Sequence, residues 1–494
     1  MSTAIKILSN TGVQILGRAV SAIFSIIIVK LITTYLGAGG YGQYVTIYSY
    51  FGFFGIAADL GLFTIAVREM AKDESKMPYI IGNVLSLRTL SVVLTSILAV
   101  LVAYLIPKYH GTLIPFGVAI AAISTILFIL AGTLSSVLQV HLKMGKHTVA
   151  LVVGRLVSFF YMLWVVLYGF NNDPTTGFVH LMLAGVLHSA IVLGITYYYA
   201  DKIAPISYRF DWAYWKEVLL KALPYGAALI FSMIYFQIDS VLLSLMKGPE
   251  EVGIYGVPMK IVEILAIVPV FFMNSVLPVF TRHLHQKSER AKEIFQYAFD
   301  FLVFSGLPFL VGAFVLAYPI VFVVSSPEFL SRLSEGFYGS DVGLRILIFA
   351  AFFAYVNAVF SFALVALNRQ IDLLKINAGC ALFNIIANIL VIPAWGFRGA
   401  AFTSILSELF ILVFTALCVR RYFAYRLSFR RACRAFISAI VMGMVIYVLR
   451  EPMYGLVQNY LVLILVPFGG LVYGGMLLLT RAVTMEMIRT VRGK

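Results

Sequence analysis

Five cations and five carboxylates stand inside stretches that are otherwise apolar: Arg18, Lys30, Arg88, Arg155 and Lys260, with Asp59, Asp239, Glu263, Asp300 and Glu408. An ion at bilayer depth is costly, so it faces a protein interior or a wet cavity and meets a partner there. Arginine is the informative type. Its planar fork matches two oxygens of a phosphate or carboxylate at once, and a lysine ammonium does not. A set of buried arginines and lysines therefore suits a polar, anionic substrate. The carboxylates either pair with those cations or hold a coupling proton or cation.

The elements that must position these groups are helices. Of the 494 residues 61% are hydrophobic and 12% charged, and the mean hydropathy is +0.96, which excludes a soluble globular protein. Fourteen apolar segments lie between residues 11 and 480, each near the ~20 residues that cross a hydrocarbon core. The expected fold is all-α, a polytopic membrane protein of about fourteen transmembrane helices. The longest polar interruptions, 200–217, 281–295 and 325–343, leave no room for a soluble domain. The run containing Arg18 continues to Tyr35, too long for a cleavable signal. Cys380, Cys418 and Cys433 have neither metal-ligand spacing nor a disulfide pattern. His283 and His285 read as solvated loop residues. With no HExxH and no phosphate-binding Gly-Lys-Ser/Thr loop, no catalytic residue, metal or cofactor is expected, and the chain reads as a transporter and not an enzyme.

The net charge of +15 points at first to nucleic acid. Placed on the spans, the charge instead reports topology. Only Lys108, Lys247, Arg332, Arg345, Arg398 and Arg450 fall on the side opposite the termini, and most other basic residues lie in the connections beside them. The positive-inside rule then predicts cytoplasmic termini in a cell membrane, with Arg420, Arg421, Arg426, Arg430, Arg431 and Arg434 as the densest inner cluster. No nucleic-acid partner is expected.

Residue number converts to depth at about 1.5 Å per residue. Arg18, Arg88 and Arg155 lie seven to nine residues into spans one, three and five, roughly 10–14 Å below the cytoplasmic surface. Asp59 sits at a similar depth. They read either as one anion-binding layer or as an Asp59–arginine structural pair with the remaining arginines snorkelling. Asp239 and Lys260 match in depth near the outer side and read as a bridge, with Glu263 a turn deeper and Lys30 near the outer end of span one. Glu408 falls mid-span, and Asp300 reads as interfacial. Pro224, Pro258, Pro269, Pro278, Pro308 and Pro319 predict kinks in spans seven to nine. Tyr48, Tyr235 and Tyr355 are candidates for stacking on sugars.

Ile23-Phe24-Ser25 followed by Gly42-Gln43-Tyr44 is echoed by Ile230-Phe231-Ser232 followed by Gly253-Ile254-Tyr255. Six spans per half then suggest two parallel lobes, 1–205 and 206–422, with two further helices and a tail in 423–494. Transporters are often built from such repeats.

Leu36-Gly37-Ala38-Gly39-Gly40-Tyr41-Gly42-Gln43-Tyr44, Asp59-Leu60-Gly61-Leu62, Val67-Arg68-Glu69, Asn368-Arg369 and Ile392-Pro393-Ala394-Trp395-Gly396-Phe397-Arg398-Gly399 carry a resemblance. Over nearly its whole length the chain resembles the multidrug/oligosaccharidyl-lipid/polysaccharide exporter superfamily, and within it the Wzx-type flippases of the polysaccharide transport family. The resemblance implies translocation of a polyprenyl-diphosphate-linked oligosaccharide to the outer leaflet by alternating access. It also implies membrane lipid, a polysaccharide polymerase and glycosyltransferases as partners. Arg18, Arg88, Arg155, Lys30 and Lys260 are the expected substrate ligands, and Asp59, Asp239, Glu263 and Glu408 the coupling or structural carboxylates. Coupling to H+ or Na+ is left open. Alternatives are a peptidoglycan-precursor flippase, a cation-coupled drug exporter or, further off, a membrane glycosyltransferase or polymerase.

Overall fold

The computed structural model describes the backbone of residues 3–170 and 173–483; the side chains of 3–12, 15, 224, 225, 227–229, 232, 233, 235 and 236 lie outside that description. Every named element is helical, with one isolated bridge between Arg332 and Phe337. Among the described residues eleven stretches are long and apolar enough to cross a membrane. Two of them, Leu16–Lys72 and Arg430–Leu479, run to 57 and 50 residues, so each is long enough for two crossings. With the 36-residue Trp212–Lys247 helix, these account for the expected fourteen. The chain is a multi-pass membrane protein.

The described residues divide into two compact units, 1–253 and 254–494. The first holds α1 (Thr3–Asp59), α2 (Leu62–Lys72), α3 (Met77–Leu105), α4 (Ile114–Val140), α5 (Met144–Trp164), α6 (Pro174–Asp201) and α7 (Trp212–Lys247). At 57 residues α1 is two crossings, broken at Gly37, whose φ of 66° suits glycine. α4 packs on α3 and α6, and α1 on α5 and α7. The first unit takes in α7, because the connection after α6 and then α7 itself pack onto its helices. Arg209 N–H donates to the Gly82 carbonyl (3.3 Å) and to Ser86 Oγ (3.1 Å), and Asp211 N–H to Asn83 Oδ1 (2.8 Å). A Cβ on Gly82 would fall 2.4 Å from the Ser207 carbonyl oxygen, so the strap needs that glycine. The glycines of the sequence echo also meet. A Cβ on Gly42 would lie 1.6 Å from the Pro249 carbonyl oxygen, and one on Gly253 2.1 Å from that of Ala38.

The second unit begins within α8 (Pro249–Leu265) and continues through α9 (Ile267–His285), α10 (Arg290–Val315), α11 (Ala317–Val324), α12 (Ser340–Ala366), α13 (Gln370–Trp395), α14 (Phe397–Tyr422), α15 (Arg430–Val457) and α16 (Val462–Leu479). α12 is central, packing on α9, α10 and α14. A proline both lacks the N–H that would bond the carbonyl four residues earlier and crowds that carbonyl. Three such freed carbonyls find hydroxyl donors from other helices. Ser340 Oγ donates to Ile254 O (2.6 Å), four before Pro258; Tyr355 Oη to Leu265 O (2.7 Å), four before Pro269; and Tyr473 Oη to Phe304 O (2.9 Å), four before Pro308. The α8/α9 break at Ala266 thus follows from Pro269 and is held by Tyr355. Tyr355 is buried by this role and is no sugar-stacking platform.

Candidate functional site

In the first unit α1, α4 and α5, with Phe63 of α2, line a cleft of about 590 Å³ with both polar and apolar residues. Gln14, Arg18 and Ser21 reach it from α1, Ser135 and Gln139 from α4, and His147 from α5. The spacing 14, 18, 21 puts the three α1 residues on one helical face. α1 can approach α5 here because residue 17 is glycine; a Cβ would fall 2.2 Å from Thr148 Cγ2. His147 is oriented by its Nδ1, 3.0 Å from Thr196 Oγ1 of α6. Arg18 is an exposed residue and lines the cleft among amides and hydroxyls that accept and donate without adding charge.

Arg88 is positioned differently. Only 3% exposed, it donates through Nη2 to Asp59 Oδ1 and forms an ion pair with it. Its Nε and Nη1 are buried without a hydrogen bond. This is the structural pair between α1 and α3, the second of the two readings of the arginine layer. One carboxylate oxygen compensates the charge, and Arg88 has no exposed face to offer a substrate.

Arg155 lies on α5 one turn beyond Leu151, the last α5 residue on the Arg18 cleft. It is half-buried, its charge acts on Tyr44, Tyr48 and His188, and its Nε is buried without a hydrogen bond. No carboxylate lies in ion-pair reach of it among the described residues. Tyr44 and Tyr48 contact at 4.8 Å between ring centroids, His188 lies against Phe128, and Ser124 Oγ meets Ser189 Oγ at 3.0 Å. Glycine again makes room, since a Cβ on Gly154 would sit 2.9 Å from His188 Nδ1 and one on Gly185 2.7 Å from Tyr48 Oη. Arg155 is a cation among neutral donors, suited to an anion that visits. Of the stacking candidates Tyr48 belongs to this group, and the Tyr235 side chain lies outside the described residues.

The remaining expected residues scatter. Lys30 is half-buried on α1. Asp239 is buried in the first unit (3% exposed). Lys260, in the second, holds Glu263 one turn away at 2.7 Å, so the ammonium expected to bridge Asp239 has a partner within its own helix. Asp300 is buried, 1% exposed. It accepts from Gln296 Nε2 (2.8 Å) and pairs with Arg431 (3.3 Å), tying α10 to α15. Glu408 is half-buried on α14, beside Ser407, whose Oγ accepts from Asn384 Nδ2 (3.0 Å); Asn388 Nδ2 in turn donates to Asn384 Oδ1 (3.0 Å). No group of three or more metal-ligating side chains occurs among the described residues. Sequence reasoning missed Gln14, Gln139, His147, Tyr44 and His188, neutral residues that carry no charge signal in an apolar span.

Residues 7–284 match the family described as "Polysaccharide biosynthesis protein", and residues 224–390 match the MatE family. An uncharacterized membrane protein of Methanocaldococcus jannaschii is 24% identical over 269 residues; the match covers 52% of this chain and 50% of that protein. The chain thus spans about half the length of the curated relative it matches. Among solved structures the lipid II flippase MurJ, in an inward closed conformation, aligns with a TM-score of 0.71 at 16% identity, over 95% of this chain and 98% of that one. An inward-facing multidrug-resistance MATE transporter aligns at 0.65 and 13% identity (81% and 94%). A superfamily transporter from Pyrococcus furiosus, described as having a binding pocket of reversed polarity, aligns at 0.56 and 14% (85% and 94%). The fold is that of the multidrug/oligosaccharidyl-lipid/polysaccharide exporter superfamily, whose members are transporters.

Proposed function

This chain belongs to the polysaccharide biosynthesis protein family, and we propose that within it the chain is a flippase for a polyprenyl-diphosphate-linked oligosaccharide, of the Wzx type. The observation that carries the reading is the polar cleft around an exposed Arg18, followed one helical turn along α5 by Arg155 without a carboxylate. A diphosphate enters at Arg18, where the fork takes two oxygens and Gln14, Gln139 and the serines take others. It then moves to Arg155, where Tyr44 and Tyr48 supply further hydroxyl donors. Arg88 stays with Asp59 and does not take part. The lipid tail remains in the bilayer while the head group crosses from the cytoplasmic to the outer leaflet by alternating access. MurJ, a lipid II flippase of similar fold, supports a lipid-linked substrate. A cationic drug is disfavoured, because this cleft carries an arginine and no carboxylate.

The termini are cytoplasmic in this reading and the membrane is the cell membrane. In a cysteine-free background, His110→Cys should be labelled from outside in intact cells and Glu289→Cys should not. Asp239 and Glu408 are the candidates for an H+ or Na+ that drives turnover. The deciding experiment follows a fluorescent polyprenyl-diphosphate oligosaccharide across proteoliposomes. Arg18→Ala and Arg155→Ala should each slow it about ten- to hundredfold, the loss of charge-assisted hydrogen bonds, with lysine only partly restoring it. Full transport by both alanine variants would overturn the assignment. Equal transport of a lipid with another glycan would keep the diphosphate site and move the substrate to a peptidoglycan precursor.

A further inference from the structure

Residues 409–450 contain seven arginines and not one lysine, aspartate or glutamate. A positive-inside signal needs only positive charge, and lysine supplies it equally well. The connections 67–78, 141–147, 201–217, 281–295 and 368–375 use lysine at least as often as arginine. The exclusive choice of arginine at 420–434 therefore asks for something a point charge does not give, which is bidentate contact with phosphate oxygens.

The structure holds this segment in place. Gln296 grips the connection between α14 and α15 from both sides, donating to the Ser428 carbonyl (3.2 Å) and accepting from Ser428 N–H (2.8 Å). Arg431 is fixed by buried Asp300 at 3.3 Å, and Arg434 donates to the Arg481 carbonyl at 3.1 Å. Arg369 lies 3.9 Å over the ring of Tyr422, whose hydroxyl donates to Asp372 (3.3 Å). Arg420 and Arg421 close α14, Arg426 lies in the connection and Arg430 opens α15; all four are exposed. Phe429, 59% exposed, and Tyr422, 42%, stand among them. Such rings favour the level of the head groups.

We propose that Arg420, Arg421, Arg426 and Arg430 form a binding surface for the phosphate of an anionic phospholipid head group, with Phe429 and Tyr422 seated at the same interface. Arg431 and Arg434 are positioning residues that keep the connection in register. Charge complementarity, the absence of acidic residues from 409–450 and the apolar spans on either side all favour a lipid as occupant, with Asp372 at Tyr422 the one carboxylate bonded to the surface's own residues.

The test titrates phosphatidylglycerol against phosphatidylcholine onto the purified full chain and counts bound lipids by native mass spectrometry. R420Q/R421Q/R426Q/R430Q should lose phosphatidylglycerol retention by about tenfold or more, as four charges near an anionic surface imply, without changing phosphatidylcholine. The corresponding fourfold lysine variant should retain an intermediate amount. A thermal melt keeps the readout interpretable, because Asp300, Arg431 and Gln296 are untouched and the variants should melt with the parent protein. Lysine binding equal to the parent's would reduce the cluster to a topology signal and overturn the proposal, as would unchanged retention in the glutamine variant. Displacement of phosphatidylglycerol by polyprenyl diphosphate at this surface would assign it to the transported substrate, and that too overturns it.

Discussion

In the first unit an exposed Arg18 lines a polar cleft and Arg155 stands without a carboxylate, whereas the second unit ties Lys260 to Glu263 and Asp300 to Arg431 and keeps one cation comparable to Arg155, Arg345 of α12, whose Nε is buried without a hydrogen bond. The second unit instead holds its interior together with neutral groups. Hydroxyls of Ser340, Tyr355 and Tyr473 occupy proline-freed carbonyls, and amides link Asn384, Asn388 and Ser407. Charge without a carboxylate is expensive to keep, so it marks where an anion is to be met. Hydroxyl-to-carbonyl bonds at prolines permit a bent helix while leaving no backbone oxygen bare in the bilayer. The first unit is thus built to bind, and the second to bend without losing its hydrogen bonds.

The largest expected effect breaks the comparison from inside the first unit, because not every arginine there is a binder. Arg88→Ala leaves Asp59 without its buried partner, and Asp59→Ala leaves a 3% exposed guanidinium with none. Either should destabilise by roughly 3–5 kcal/mol, seen as lost yield and a lower melting temperature. The double replacement by apolar residues should recover much of that. Arg18→Ala should melt like the parent while failing in transport. If Arg18→Ala is the unstable variant and Arg88→Ala the inactive but stable one, the roles of the two arginines are exchanged.

The second unit offers a sharper test. Tyr473→Phe removes the donor to Phe304 O and should cost about 1 kcal/mol, and Tyr355→Phe should do the same at Leu265 O. Each cost exists only because a proline freed the carbonyl. In a Pro308→Ala background the Phe304 carbonyl regains its own helical N–H, so Tyr473→Phe should then cost close to nothing. A double-mutant cycle by thermal or urea unfolding in detergent reads the coupling directly. Equal costs in both backgrounds would show that Tyr473 contributes by packing alone.

Much of this was legible beforehand because membrane crossing constrains sequence so strongly. Fourteen crossings, the all-α class and the intramembrane ions all follow from hydropathy and from the cost of charge in lipid. What depth does not give is azimuth. Arg18, Arg88 and Arg155 share a layer, yet which faces a cleft and which faces Asp59 depends on helix rotation and on where Gly17, Gly154 and Gly185 let neighbours close in. The burial of Asp300 was not readable from residue number either, since it depends on α15 coming over it with Arg431. Lys260 was matched to Asp239 by depth, and depth alone does not reveal Glu263, a partner at i+3 within its own helix. The proline positions were readable, and their hydroxyl partners were not, being 86, 90 and 169 residues away in sequence.

The smallest expected effect lies at the strap that carries α7 back onto the first unit. Asp211 accepts from the Tyr79 hydroxyl and caps α7 through the N–H groups of Tyr214 (3.2 Å) and Ala213 (3.0 Å). These bonds, the Tyr79 phenol first, hold its carboxyl below the usual carboxylate range. A depressed folded pKa means that the contribution is fully present above the unfolded value, ~3.9, and is lost as the pH falls through the folded one. The strap should therefore be indifferent to pH between about 5 and 8 and loosen only below about 4. Hydrogen exchange at Arg209 and Asp211, whose N–H groups bond Gly82, Ser86 and Asn83, should accelerate there beyond the intrinsic rate. Asp211→Asn, which keeps an acceptor and removes the titration, should abolish the acid-induced step and leave protection at pH 7 slightly reduced. A step that survives in Asp211→Asn would move the acid sensitivity to another carboxylate and leave the strap held by its backbone bonds alone.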